Sequence, residues 1–206
     1  MKNFTVIVLI LLFAGSCKKQ EEKYTNLHQI TVEKHQEKLN AQYADSLSSP
    51  LKQDDRLSFE KLDFFPINES YKVEATLKLT PNDPVFEMKT TTDRKPLYKR
   101  YGVALFTLNE KEYRLNVYQN QELILDFEHR DYLFLPFTDE TNGAESYKGG
   151  RYIDARIPKD SILSIDFNLA YNPYCAYNSK YSCPVVPKEN HLPLKIYAGV
   201  KKFDKH

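Results

Sequence analysis

The sequence predicts a mainly β domain, an antiparallel β-sandwich or barrel-like fold, preceded by one N-terminal α-helix. Roughly nine short runs rich in β-branched and aromatic residues follow one another after residue 57, with turn residues between them. The intervals are too short for the crossover helices that a parallel sheet needs. One clearly helical pattern lies ahead of them, and neither an internal repeat nor a low-complexity segment divides the chain.

Met1 to Cys17 reads as a leader. One lysine, Lys2, is followed by an apolar run from Val6 to Ala14 and then by small residues directly before Cys17. Such a run is too short and wrongly flanked to span a membrane, and it has the form of a signal peptide. Ala14-Gly15-Ser16-Cys17 resembles a bacterial lipobox, which implies lipid attachment (palmitate among the acyl chains) at Cys17 and removal of residues 1–16. The chain is therefore expected to be a lipoprotein whose membrane contact comes through that lipid. Lys18 follows the cysteine where an inner-membrane retention signal would place aspartate, so an outer-membrane destination is expected, on the periplasmic or the surface face. Lys18-Lys19-Gln20-Glu21-Glu22 resembles the charged export tag of surface lipoproteins in the Bacteroidota, and it reads equally well as a solvated tether over residues 17–25.

About 190 residues then remain, enough for one domain with a real core. Of the 29 lysines and arginines only Lys2 falls in the leader, so the remaining basic side chains balance 28 acidic ones. A neutral domain lacks the basic footprint that phosphate neutralisation requires, and no nucleic-acid partner is expected.

Asn26-Leu27-His28-Gln29 has the form of a capping box, and Val32, Leu39, Tyr43 and Leu47 recur near helical spacing on a charged background. A helix is expected over 26–48, stopped by Ser48-Ser49-Pro50. His28 and His35 lie on it and read as solvated surface histidines. The β-rich part, 57–206, opens with Tyr71 to Thr80, where Tyr71, Val73, Ala75, Leu77 and Leu79 alternate toward one side. Further strands are expected over 85–92, 100–108, 113–119, 123–126, 132–137, 151–157, 162–168 and 194–198. Asn109-Glu110-Lys111 reads as a hairpin turn. His129, in Glu128-His129-Arg130-Asp131, reads as part of a charged surface turn.

Residues 170–190 keep no helical or strand period, yet they hold four tyrosines and, with Cys17 assigned to lipid, both remaining cysteines. In an exported protein Cys175 and Cys183 are expected to form a disulfide. Closing so short a loop stabilises by about 2.5 kcal/mol on the chain-entropy account.

The segments Asp139 to Tyr152 and Asp166-Phe-Asn-Leu-Ala-Tyr-Asn-Pro-Tyr-Cys175, followed by Cys183-Pro184 and Pro187-Lys-Glu-Asn-His-Leu-Pro193, resemble the bacterial family called domain of unknown function 1684. The likeness is strongest over 130–200 and weaker back to about residue 57. Tyr174 stands where the family usually has a second proline, and Val200 where it usually has glutamate. A tryptophan-rich segment found in many members is missing here. The resemblance implies an exported β-rich domain and no established activity.

Candidate chemistry gathers around those motifs. Carboxylates of Asp139, Glu145 and Asp166, the guanidinium of Arg151, amides of Asn168, Asn172 and Asn190, and rings of Tyr147, Tyr171 and Tyr177 could form one polar pocket. Such a mixture suits a glycan or another small envelope ligand. The same groups could instead tie the loop to the sheet, with Arg151 paired to Asp139 or Asp166. Two further readings are an envelope hydrolase using two of Asp139, Glu145 and Asp166, and a structural partner of another envelope protein. No nucleophile motif is present. Cys175, Cys183 and His191 match no common zinc spacing, and neither a metal nor a cofactor is expected.

Overall fold

The computed structural model describes residues 27–203. The expected leader, Cys17 with its expected lipid, and the expected tether lie outside the described residues.

The expected class is the observed one: an antiparallel curled sheet preceded by a helix. Helix α1 covers residues 27–44, and a short α2, Gln53–Leu57, follows it. The strands are β1 Lys72–Leu79, β2 Val85–Glu87, β3 Leu97–Leu108, β4 Lys111–Asn120, β5 Tyr132–Asp139, β6 Arg151–Arg156, β7 Ile162–Asp166 and β8 His191–Leu192. Their order across the sheet is β6-β5-β4-β3-β1-β7, with β2 added to β3 and β8 running parallel to β5.

Alternation dictates which face each strand buries. In β1, Val73, Ala75 and Leu77 point inward as the pattern requires, whereas Leu79 is left 59% exposed at the strand end. Ala104, Leu115, Val117, Leu133, Leu135 and Ile165 meet these residues on the inner face of the curl. The other face carries a second apolar set toward one end, with Tyr98, Tyr118, Phe134 and Tyr152 packed on Met88 and Val186. Two details permit the curl. The register of β3 on β4 shifts between Arg100 and Gly102, and a Cβ on Gly102 would lie 2.7 Å from the Lys78 carbonyl oxygen. The β3–β4 turn is made by Asn109 and Glu110, both at positive φ.

Two strand expectations fail. Residues 123–125 form a single 3₁₀ turn, because the Asn120 side chain accepts the amides of Glu122 and Leu123 and starts a bend. Residues 194–198 run irregularly across the molecule, since their backbone groups serve buried side chains rather than a neighbouring strand.

The loop over residues 170–190 is held at both of its flanks. Tyr171 and Tyr152 exchange backbone hydrogen bonds at 2.9 and 3.0 Å, while Thr91 and Val185 donate to the carbonyls of Cys183 and Lys89. Helix α1 lies against this loop, burying Tyr43 against Tyr177 with ring centroids 4.9 Å apart. Near the end of the described chain, the amide of Phe65 donates to Gly199 and that of Lys201 to Asp63.

Candidate functional site

The ten residues expected to share one pocket are distributed over several places, and most of them are internal ties. Asp139 ends β5 and Arg151 begins β6, so the antiparallel pairing brings them together. Their side chains form an ion pair at 2.7 Å with no exposed surface on either. Arg151 also donates to the carbonyls of Ile196, at 2.9 Å, and Ala198. The second carboxylate oxygen of Asp139 accepts the amide and hydroxyl of Thr141 at 2.9 and 2.6 Å. Rings of Phe65 and Phe137 lie 5.7 and 5.2 Å from the guanidinium carbon. Burial draws the Arg151 guanidinium below its ordinary range and the Asp139 charge opposes that pull.

Asp166 and Asn168 do project together, as strand alternation requires, but they are buried. Asp166 Oδ1 accepts the Asn168 amide at 2.9 Å, and Asn168 grips the backbone of Asn68 through an N–H and a C=O at 2.9 and 3.0 Å. Asp166 Oδ2 lies 2.7 Å from His28 Nε2. His28 is therefore a buried partner of the sheet rather than the solvated histidine expected from the charged helix pattern. Asn190 binds the Asn116 amide and the carbonyls of Asn116 and Pro136, and Asn172 donates to the carbonyl of Lys201. Tyr177 is buried in the same cluster, its hydroxyl pushed up to about 12 by burial. Glu145 pairs at 3.0 Å with Lys195, whose charge holds its carboxyl below the usual range.

Tyr147 and Tyr171 are exceptions, and they border different cavities. The one beside Tyr171 has a volume of about 420 Å³. Helix α1 supplies one wall through His35, Lys38, Gln42 and Tyr43. The outer face of the sheet supplies another through Tyr98, Tyr132, Phe134 and Tyr152, with Asp154 beside them. The loop closes the side with Tyr171, Pro173, Tyr174 and Cys183.

Its polar groups are arranged in a definite way. Tyr132 and Tyr171 both donate to Asp154 Oδ1, at 2.7 and 2.6 Å. Burial, reinforced by the Asp154 charge, raises both phenols well above their ordinary range, so they stay donors through neutral pH. Gln42 donates to the Tyr174 hydroxyl at 2.6 Å. Burial pulls the His35 imidazole below its usual value, against the Leu169 backbone and the Asp154 charge, and leaves it neutral at pH 7. His35 Nε2 is buried with no hydrogen-bond partner.

Sequence reasoning placed His35 on the solvent side of its helix and missed Lys38, Gln42, Tyr98, Tyr132, Tyr152, Asp154 and Tyr174 altogether. A signal existed: His28, Val32, His35, Leu39 and Tyr43 stand at intervals of three and four, one continuous helical stripe in which two members are histidines.

Cys175 and Cys183, the pair expected to bridge, lie close together, Cys175 partly buried and Cys183 buried. The Cys175 amide lies 3.2 Å from Cys183 Sγ and donates to it. His129 pairs with Asp126 at 3.0 Å in the expected surface turn. Among the described residues no group of three or more His, Cys, Asp or Glu side chains could hold a metal ion, and no helix is long and apolar enough to cross a membrane.

Residues 57–201 match the sequence profile described as Protein of unknown function (DUF1684). Among solved structures, the chain is similar to the solution NMR structure of an uncharacterized protein from Haloarcula marismortui, with a TM-score of 0.67 and 28% identity. That likeness covers 92% of this chain and 99% of the other. No curated protein matches the chain.

Proposed function

The chain belongs to the DUF1684 family of proteins of unknown function, and within that family we propose that it is a binding module for a small ring-bearing ligand, a glycan unit of the cell envelope, held in the tyrosine-walled cavity beneath α1. One observation carries this reading: a buried, unpartnered nitrogen, His35 Nε2, in a cavity lined by aromatic faces and by the hydrogen-bonded Asp154, Tyr132, Tyr171 and Gln42. A buried polar atom left without a partner is costly, and a ligand hydroxyl there would remove the penalty. Tyrosine faces suit the apolar side of a sugar ring, while Asp154, Gln42 and Lys38 suit its hydroxyls.

The paired-carboxylate hydrolase draws no support from the arrangement, because Asp139, Glu145 and Asp166 are each engaged elsewhere and line neither this cavity nor the one beside Tyr147. The protein acts at the outer membrane, tethered by lipid on Cys17. Palmitate labelling in cells should therefore be lost in Cys17→Ala, and persistent labelling would remove the anchor from this account.

Calorimetric titration with envelope oligosaccharides tests the site itself. Binding should weaken at least tenfold in Tyr171→Ala and in His35→Ala while both variants remain folded by circular dichroism. Unaltered binding in both would place the ligand elsewhere, and no heat from any glycan in the panel would overturn the ligand class.

A further inference from the structure

Cys175 and Cys183 belong to no part of the ligand cavity's hydrogen-bonding scheme, yet they are the two thiols of the described residues and they sit together. Their environments differ. Cys183 is buried and its sulfur accepts the Cys175 amide at 3.2 Å. Cys175 is only partly buried and lines a second cavity of about 410 Å³ with Tyr147, Lys148 and Lys202. The Tyr147 hydroxyl lies 3.9 Å from Cys175 Sγ. One thiol therefore has access from a cavity edged by two lysines, and the second borders the tyrosine-walled cavity with its sulfur against the first cysteine's amide.

We propose that Cys175 and Cys183 form a thiol–disulfide exchange site, with Cys175 attacking low-molecular-weight or protein disulfides that enter the cavity beside Tyr147 and Cys183 resolving the adduct. In the first step the Cys175 thiolate attacks one sulfur of RS–SR′, forming a mixed disulfide and expelling R′S⁻, which takes a proton from water. In the second, the Cys183 sulfur attacks Cys175 Sγ and closes the intramolecular disulfide. RS⁻ leaves with the proton that Cys183 gives up. The protein pair loses two electrons and two protons, and the incoming disulfide gains them as two thiols.

The local chemistry supports that division of labour. The neighbouring Cys183 thiol, and then the Tyr147 hydroxyl 3.9 Å away, hold Cys175 below the ordinary thiol range, which favours its thiolate. The same thiol–thiol contact, with burial, raises Cys183, which keeps it protonated until it is needed. Closing the disulfide on Cys175 removes the negative sulfur that Tyr147 faces, so the phenol would report the redox state.

The test uses the folded chain incubated with oxidised glutathione and analysed by intact mass. Cys183→Ser should accumulate one glutathione adduct on Cys175, whereas Cys175→Ser should react at least tenfold more slowly. In the unaltered chain the adduct should be transient, giving an internal disulfide that reduced glutathione reopens without unfolding. Because either serine variant could fold poorly, a glutathione redox titration of the unaltered chain serves as the second measurement and should give a reversible two-electron transition. Thiols inert to oxidised glutathione in the native chain would overturn the proposal, and so would a bridge that resists reduction until the protein is denatured, since that is a structural disulfide.

Discussion

Arg151 carries its charge into a place with no exposed surface, and it stays there because its two terminal nitrogens meet Asp139 and two backbone carbonyls while two aromatic rings flank it, although Nε is left without a partner. Removing one partner leaves the other charge uncompensated. Asp139→Asn should lower unfolding free energy by about 3–5 kcal/mol in urea denaturation, and a loss below about 1 kcal/mol would show the pair to be solvated. His35 makes a different prediction. Its imidazole is depressed in the folded state relative to the ordinary value of 6.5, so the unfolded chain takes up its proton first as pH falls. Its contribution is intact above about pH 6.5 and is lost on acidification down to its folded value. His35→Gln should flatten that part of the thermal-stability profile between pH 7 and 5, and an unchanged slope would mean the imidazole is not desolvated. These residues differ in how legible they were. The sequence allowed Arg151 to pair with Asp139 or with Asp166, but which of the two it meets, and whether water reaches them, depends on strand pairing and on segments far along the chain. His35 was misread because its neighbours Glu33, Lys34, Glu37 and Lys38 are charged, although the first three occupy other faces of the helix and only Lys38 shares the cavity wall with it.

Hairpins and helices answer to their own local rules. The β3–β4 turn places Asn109 at φ 49 and Glu110 at φ 63, the backbone of a type I′ turn, which asparagine tolerates and glutamate resists. Glu110→Gly should therefore raise stability by about 0.5–1 kcal/mol, measured by the shift of the urea midpoint, and destabilisation would mean that the Glu110 side chain holds the turn. This turn was legible in Asn109-Glu110-Lys111, as were the helix and the strands whose alternation one buried face enforces. The segments at 123–125 and 194–198 were not. Both are apolar enough to suggest strands, but the first is turned by a single asparagine side chain and the second is spent on distant buried groups. Periodicity reports which face is buried; it is silent on where lone backbone amides find partners.

At the scale of the molecule, binding and folding are linked because the cavity exists only when α1, the sheet face and the loop are assembled. A ligand at a hundred times its dissociation constant should add about 2.7 kcal/mol to stability. For a domain of this size that corresponds to a rise of roughly 5–10 °C in Tm, and a scan that finds no rise at saturating glycan would break the link. The cavity as a whole was not legible in the chain. Its walls come from residues 35–43, 98, 123, 132–154 and 171–184, which only the curl of the sheet and the seating of the helix bring together. The position of the last described residues has a further effect. Carbonyls of Ile196 and Ala198 complete the surroundings of Arg151, while Gly199 and Lys201 fasten the strand-free stretch around Asp63 and Phe65. A ribosome makes these residues after every strand of the sheet, so the interior charge meets its final oxygens only once the whole sheet has been synthesised. Until those residues are made, the guanidinium lacks two of the acceptors that make its burial tolerable.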